Sequence, residues 1–207
     1  MIIAVDGPAA SGKGTIARAL AGHFGLPHLD TGLLYRAVGL ATLRAGGDPA
    51  EEADAFAACD FSDAMLSDPE LKSEAAGASA SRVSVHSAVR SALIERQRAF
   101  ARQSGGAVLD GRDIGTVIAP EADVKLFVTA RPEVRAVRRH DELERLGLQS
   151  RLEAVRHDIE ARDERDMQRQ TAPLRQAEDA ILLDTSDLAI EAAIRRAISH
   201  VEARIQL

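Results

Sequence analysis

A glycine-rich segment near the N-terminus constrains the fold of this 207-residue chain more than any other feature. Residues 7–15 read Gly-Pro-Ala-Ala-Ser-Gly-Lys-Gly-Thr, directly after an apolar run at residues 1–5 and directly before a helical pattern. Glycines let the backbone curl so that successive N–H groups face one centre, and a helix that begins there adds the positive end of its dipole. This order of strand, loop and helix predicts a phosphate-binding loop for a nucleoside triphosphate.

The residue types of this phosphate loop, residues 7–15, suit the donor nucleotide. Lys13 can neutralise β and γ oxygens, and the Thr15 hydroxyl can join the coordination of Mg²⁺. Gly14 stands between them, a spelling seen in small-molecule and nucleotide kinases. The alternative, a glycine-rich hairpin turn, is disfavoured by the flanking strand and helix. We therefore expect nucleotide contacts from the whole loop: Gly7, Pro8, Ala9, Ala10, Ser11, Gly12, Lys13, Gly14 and Thr15.

Composition excludes several classes of protein. The net charge of −6 argues against a nucleic-acid-binding surface, although 23 of the 26 basic residues are arginines, whose planar fork suits phosphate. Cys59 is the single cysteine, which excludes an intrachain disulfide and a multi-cysteine zinc site. No run approaches eighteen apolar residues, and the N-terminus lacks the pattern of a signal peptide. We expect a cytoplasmic protein without a membrane or nucleic-acid partner.

Apolar runs alternate with helical patterns along the chain. Continuous rather than alternating apolar residues predict buried parallel strands at residues 2–6, 26–30, 107–110, 124–129 and 181–184. The fold class is α/β, with a five-stranded parallel sheet and helices on both faces. Ligands of such sheets collect at the carboxyl edge of the strands, and three of these runs end there in Asp6-Gly7, Asp30-Thr31-Gly32 and Asp110-Gly111.

Two regions interrupt this alternation within a single predicted domain. Residues 44–80, rich in Ala, Asp, Glu, Ser and Gly, predict an acceptor-binding insert, and arginine-rich residues 139–170 predict a helical lid. The core then comprises residues 1–43, 81–138 and 171–207. In the lid, Arg162, Arg165, Asp166 and Arg169 share one helical face. An ordinary salt-bridge ladder, with Arg162 paired to Asp166, is the alternative interpretation of that face.

Longer signatures resemble those of the bacterial cytidylate kinases, which phosphorylate CMP and dCMP with ATP. The resemblance covers nearly the whole chain, and the string at residues 110–117, Asp-Gly-Arg-Asp-Ile-Gly-Thr-Val, is much more specific than the phosphate loop. The other matching signatures are Asp30-Thr31-Gly32 followed by Tyr35-Arg36, residues 80–90, residues 97–100 and residues 162–174. The resemblance implies a nucleoside monophosphate kinase fold and ATP and Mg²⁺ as cofactors.

The same resemblance implies roles for individual residues. It places Ser81, Arg90 and Asp113 at the cytosine edge, and Arg36 and Arg112 at the acceptor phosphate. Arg162, Asp166 and Arg169 close over phosphates and ribose from the lid, while Thr31 and Tyr35 join the acceptor site. The catalytic set expected is Lys13, Arg36, Arg112, Arg162 and Arg169. From the chemistry of the residues themselves, we expect Thr15 to join the coordination of Mg²⁺ and either Asp30 or Asp110 to hold the ion through water. The sequence does not decide between these two aspartates.

Rival functions share the phosphate loop but not the longer signatures. A kinase for another nucleotide or a small hydroxyl acceptor differs only in the acceptor-site residues. A GTP-hydrolysing switch needs a guanine-reading Asn-Lys-x-Asp motif, and the chain has no asparagine. Residues 36–80 are fewer than in many family members and lack a hairpin signal, so we expect a smaller insert that is poor in β-structure. We expect a monomer.

Overall fold

The strands form where the sequence has continuous apolar runs. In a computed structural model, which describes residues 1–206, a parallel sheet has the order β2-β3-β1-β4-β5. The predicted five-stranded parallel sheet is confirmed. The strand bounds are β1 Ile2–Asp6, β2 His28–Asp30, β3 Ala107–Gly111, β4 Val124–Thr129 and β5 Ile181–Asp184.

Two strand ends differ from the prediction for local reasons. β2 begins at His28 rather than at residue 26, because the Leu26 N–H donates to Ala21 O at 2.9 Å and closes the preceding helix. Pro27, which follows, has no N–H to give to the ladder. β3 runs one residue further than predicted, because Gly111 pairs in register with Asp6.

Helices cover both faces of the sheet. Ile3 and Val5 of β1 pack with Ile16, Leu20 and the last helix on one face, and Ala4 packs on the other face. All of these positions are buried, which explains why the strands show no polar alternation. The helices are α1 Lys13–Phe24, α2 Thr31–Arg44, α3 Glu52–Ala57, α4 Glu74–Val83, α5 Ser87–Ala101, α6 Pro132–Arg145, α7 Leu152–Gln168 and α8 Ile190–Ile205.

The insert, residues 44–80, is helical. It contains α3, two short 3₁₀ turns at Asp63–Ser67 and Pro69–Lys72, and the first part of α4. None of its described residues is in a strand, so the expected poverty in β-structure is confirmed. A Cβ at Gly39 of α2 would lie 2.6 Å from the Ser79 Cβ, so α4 approaches α2 closely. That contact seats the insert beside the carboxyl edge of the sheet.

The acidic strand ends meet as the topology requires. Asp30 and Asp110 are register partners in β2 and β3, and Asp6 stands at the end of the adjacent β1. The phosphate loop and the segment after β3 therefore leave the sheet side by side. No helix described between Met1 and Gln206 combines the length and apolar character needed to cross a membrane.

Candidate active site

A cleft of about 530 Å³ lies between the phosphate loop, the insert and the lid. Most of the predicted site residues line it: Ala9, Ala10, Lys13, Gly14, Asp30, Thr31, Tyr35, Arg36, Ser81, Arg90, Asp110, Arg112, Asp113, Arg162, Asp166 and Arg169. Gly7, Pro8, Ser11, Gly12 and Thr15 do not form part of its lining. The exposed Thr15 hydroxyl is instead 3.5 Å from the Arg18 Nη2, which donates to it.

The phosphate loop is shaped by its glycines. A Cβ at Gly7 would lie 2.0 Å from the Val128 carbonyl oxygen of β4, so only glycine fits where the loop leaves the sheet. Gly12 precedes α1 with a φ of 89°, and the helix begins directly after it at Lys13. The free N–H groups of the first helical turn therefore point towards the cleft.

Lys13 lies among charges of both signs. Its Nζ donates to Pro8 O at 3.3 Å. Burial and the neighbouring Arg112 lower the pKa of Lys13 to about 7, against the opposing effects of Asp110 and Asp30. A polyphosphate on the loop would favour the protonated form, because an opposite charge at close range raises the pKa of an ammonium group.

Asp30 and Asp110 form a carboxylate pair beside Lys13. Asp30 Oδ1 accepts from the Gly32 N–H at 2.9 Å and caps α2, while Asp110 Oδ1 contacts the His28 Nε2 at 2.7 Å. Burial and the adjacent Asp110 raise the pKa of Asp30. A Cβ at Gly14 would lie 3.6 Å from Asp110 Oδ2, which places that oxygen at the start of α1. Each carboxylate thus keeps its Oδ2 without a hydrogen bond in the part of the chain that the structure describes.

The segment after β3 is fixed by Asp6. Its two carboxylate oxygens accept from the N–H groups of Ile114 and Gly115, both at 2.8 Å. Burial raises the pKa of this carboxyl group to about 7. The π-helical turn Ile114–Ile118 follows, so Arg112 and Asp113 project into the cleft from a backbone that is tied to the strand before the phosphate loop.

Asp113 is the centre of a buried polar group at one end of the cleft. Its Oδ2 lies 2.5 Å from Arg90 Nη2, and its Oδ1 lies 3.6 Å from Arg169 Nη2. The Arg90 guanidinium also stacks over the Tyr35 ring at 5.6 Å from the centroid. Ser81 of α4 borders the same end, where its hydroxyl accepts from Arg165 Nε at 3.2 Å. The residues predicted for base recognition are therefore brought together.

The lid helix α7 forms the opposite wall. Asp166 Oδ2 pairs with Arg112 Nε at 2.7 Å and not with Arg162, so the alternative salt-bridge ladder is not formed. Burial first, and then Arg112, lowers the pKa of Arg162 to about 10. Its buried Nε has no hydrogen-bond partner among residues 1–206. A buried guanidinium nitrogen with an unused N–H beside a second arginine is an arrangement that an anion would satisfy.

Arg36 joins the cleft to the insert. Its Nη1 donates to Leu71 O at 2.7 Å and to Ser73 O at 3.3 Å, and burial lowers its pKa. Sequence reasoning missed Arg139, which lines the cleft near Arg36 and Arg162. The available signal was its helical spacing three residues before Glu142, which also lines the cleft, so that both lie on one face of α6.

Known proteins resemble this chain over nearly its whole length. The family model described as cytidylate kinase matches residues 3–203. A curated cytidylate kinase of Xanthobacter autotrophicus is 58% identical over 205 residues, covering 99% of this chain and 98% of that protein. One from Rhodopseudomonas palustris is 56% identical over 204 residues, covering 98% and 96%.

A solved structure shows the same fold at low identity. The crystal structure of a gluconokinase from Sinorhizobium meliloti 1021 matches with a TM-score of 0.53 and 14% identity, covering 98% of this chain and 91% of that one. This likeness supports the fold of the sheet and its helices alone. The family model and the two relatives match nearly the whole chain. The chain therefore belongs to the cytidylate kinase family.

Proposed function

We propose that this cleft transfers the γ-phosphoryl group of ATP, held as its Mg²⁺ complex, to the phosphate of CMP or dCMP. Phosphorylation of CMP and dCMP is the activity of the family to which the chain belongs, and the chain is a phosphotransferase. The observation that carries the residue assignments is that a single cleft joins the phosphate loop to the buried Asp113 group, with arginines between them.

The donor end consists of the phosphate loop and Lys13. The N–H groups of the first turn of α1 and the glycine-rich backbone would face the β- and γ-phosphates. Lys13, protonated in their presence, would neutralise the charge that develops as the γ-phosphoryl group is transferred. Lys13 is the first residue of α1, so the fold of the phosphate loop fixes where its side chain starts. A lysine on a flexible surface segment would not be held in this way.

The donor set suits Mg²⁺. This ion prefers oxygen ligands and keeps several waters. Asp110 Oδ2 lies at the start of α1 without a hydrogen bond in the described residues, and the carboxylate of Asp30 is its neighbour across the sheet and acts on Lys13. We propose that these two carboxylates hold the ion together with the nucleotide's phosphates; Thr15, exposed and outside the lining, is less well placed. When bound there, Mg²⁺ would supply positive charge that offsets the charge of the phosphates.

The arginines between the two ends position the reacting groups. We propose that Arg36 and Arg112 hold the acceptor phosphate and that Arg162, from the lid, meets the group in transit. One oxygen of the CMP phosphate attacks the γ-phosphorus, and the bond from that phosphorus to the β,γ-bridging oxygen breaks, with its electron pair leaving on ADP. Such transfer needs alignment and charge stabilisation more than covalent catalysis. The lid also keeps water from competing as acceptor.

The Asp113 group is suited to cytosine. Cytosine offers an amino donor at N4 and acceptors at N3 and O2, so the Asp113 carboxylate can accept from N4 while Arg90 and Ser81 supply donors. Uracil has a carbonyl at the first of these positions and an N–H at the second. A buried carboxylate that faces a carbonyl is an unpaired acceptor and costs about 1–3 kcal/mol. The site therefore favours cytosine.

Replacing Asp113 with asparagine tests this assignment. The amide can donate to the uracil carbonyl, so we expect the ratio of kcat/KM for CMP over UMP to fall about 10-fold or more. The dissociation constant for ATP, measured without acceptor, should stay within about twofold, because Asp113 contacts Arg90 and Arg169 rather than residues of the phosphate loop. Initial rates of ADP release with CMP and with UMP give the ratio.

Asp158→Asn is the matched control, since Asp158 is an exposed carboxylate of α7 that also lines the cleft. This control should leave the CMP/UMP ratio unchanged. An Asp113→Asn variant that lost ATP affinity and kept its ratio would show that Asp113 only holds Arg90 and the end of the sheet in place.

The proposal extends to a monomer that acts in the cytoplasm. All residues that line the cleft belong to one chain, which supports a monomer. The single cysteine, Cys59, is compatible with a reducing compartment.

A further inference from the structure

A buried ion pair outside the proposed catalytic set links the two helices behind the cleft. Arg135 of α6 and Asp163 of α7 are 3% and 6% exposed, and Arg135 Nη2 lies 2.5 Å from Asp163 Oδ2. Neither residue lines the cleft. Both are therefore candidates to act on the reaction through other groups.

The Arg135 guanidinium contacts three separate elements. Its Nε donates to Ala130 O at 2.8 Å, at the end of β4, and its Nη1 donates to Ala9 O at 3.2 Å, in the phosphate loop. Its Nη2 donates to Asp163 Oδ2 in the lid helix. The guanidinium is planar, so these three directions are fixed relative to one another. The sheet, the phosphate loop and the lid helix are thereby held in one geometry.

Asp163 lies in α7 between two residues that line the cleft. It follows Arg162 directly and precedes Asp166 by less than one helical turn, so its position sets where these two cleft residues point. Its other oxygen, Oδ1, is buried without a hydrogen-bond partner within the described residues, and Arg135 is its ion-pair partner there. The carboxylate is thus held at this depth by Arg135.

Packing supports the same linkage. Ala10, at the tip of the phosphate loop, packs against an apolar cluster from α6 and α7 formed by Ala136, Leu143, Val155 and Ile159. The loop that would hold the donor phosphates and the hairpin that carries the lid arginines therefore touch through both polar and apolar contacts. A shift of α7 away from α6 would disturb both the polar and the apolar contacts.

We propose that the Arg135–Asp163 pair is a latch that positions the lid helix over the phosphate loop for phosphoryl transfer. The latch holds Arg162 and Asp166 in the cleft and fixes the Ala9 carbonyl at the same time. Arg135 and Asp163 are positioning residues in this account, and the inference rests on the function proposed above. Misplacement of a catalytic group by about 1 Å can cost about 10²-fold in rate.

The competing explanation is that the pair only stabilises the fold. Buried ion pairs can often be replaced by apolar residues of similar volume without loss of stability, whereas removal of one partner leaves an uncompensated charge. The double variant Arg135→Met/Asp163→Leu therefore separates the two explanations. It keeps the packing but removes the fork that reaches Ala9 and the lid helix.

The experiment compares wild type, Asp163→Asn, the apolar double variant and Arg156→Gln by steady-state kinetics with ATP and CMP and by thermal melting. Arg156 is the matched control, because it forms an exposed pair with Glu160 on the same helix. We expect Asp163→Asn and the double variant to lose about 10-fold or more in kcat, with a smaller rise in KM for CMP. The double variant should melt close to wild type, and Arg156→Gln should match wild type in both measurements.

A double variant with wild-type melting and wild-type kcat would overturn the latch and leave a purely structural pair. If the double variant does not fold, Asp163→Asn decides, since wild-type kcat in that folded variant also overturns the proposal. A wild-type protein that turns over no CMP would overturn the proposed function itself. Equal turnover in wild type and in both latch variants would overturn the latch alone.

Discussion

Replacing Lys13 with alanine should lower kcat by about 10²-fold or more, because the lost charge acts on phosphate oxygens in the transition state. The melting temperature should not fall. Burial lowers the pKa of Lys13 from 10.5 to about 7. Charging this group therefore opposes folding, fully below a pH of about 7 and progressively less as the pH rises towards 10.5. The measurements are kcat with saturating ATP and CMP, and thermal melting.

Lys72→Ala serves as the control for Lys13→Ala, because Lys72 is an exposed lysine of the insert. It should retain the wild-type kcat. A Lys13→Ala protein that is folded and keeps most of its turnover would remove the phosphate loop from the mechanism.

Replacing Arg162 with alanine should also lower kcat by about 10²-fold. The Nε of Arg162 is buried and has no hydrogen-bond partner among the described residues, and Arg112 repels this guanidinium. We therefore expect its favourable contacts to form with the bound phosphates. Arg169→Ala should lower kcat as well, with a larger rise in KM for CMP, because Arg169 lies 3.6 Å from Asp113. Steady-state kinetics over both substrates separates these effects.

Arg156→Ala, on the exposed side of the same helix, should leave kcat unchanged. Exposed pairs of this kind are worth about 0.3–0.5 kcal/mol in stability and do not touch the cleft. Near-wild-type kcat in both Arg162→Ala and Arg169→Ala would return this part of the lid to a structural role.

The sheet could be predicted from sequence because its three central strands, β1, β3 and β4, are almost entirely buried. Such strands read as unbroken apolar runs, and three of the five runs end in an aspartate with a glycine within two residues at the ligand-binding edge. The start of β2 was predicted less well, because the hydrogen bond from Leu26 to Ala21 belongs to the end of α1 and has no apolar signature. Local capping decided that boundary.

The candidate site could also be predicted only in part. The phosphate loop and residues 110–117 are continuous segments, so sequence alone indicated them. The partners of their charges were not predictable, because Arg112 meets Asp166 across 54 positions and His28 meets Asp110 across 82. Spacing within α7 favoured pairing between Arg162 and Asp166, but Asp166 pairs instead with Arg112, which follows β3. Tertiary packing therefore overrode the helical i, i+4 rule.

The most direct test of the account is a panel of nucleoside monophosphates assayed for ADP release with ATP and Mg²⁺. We expect fast release with CMP and dCMP and far slower release with UMP, AMP and GMP, because cytosine alone matches the donors and acceptor proposed for Arg90, Ser81 and Asp113. Nucleotide hydrolysis without acceptor should be slow, since transfer requires both ends of the cleft to be filled. Equal rates with AMP and CMP, or GTP hydrolysis that needs no acceptor, would contradict it.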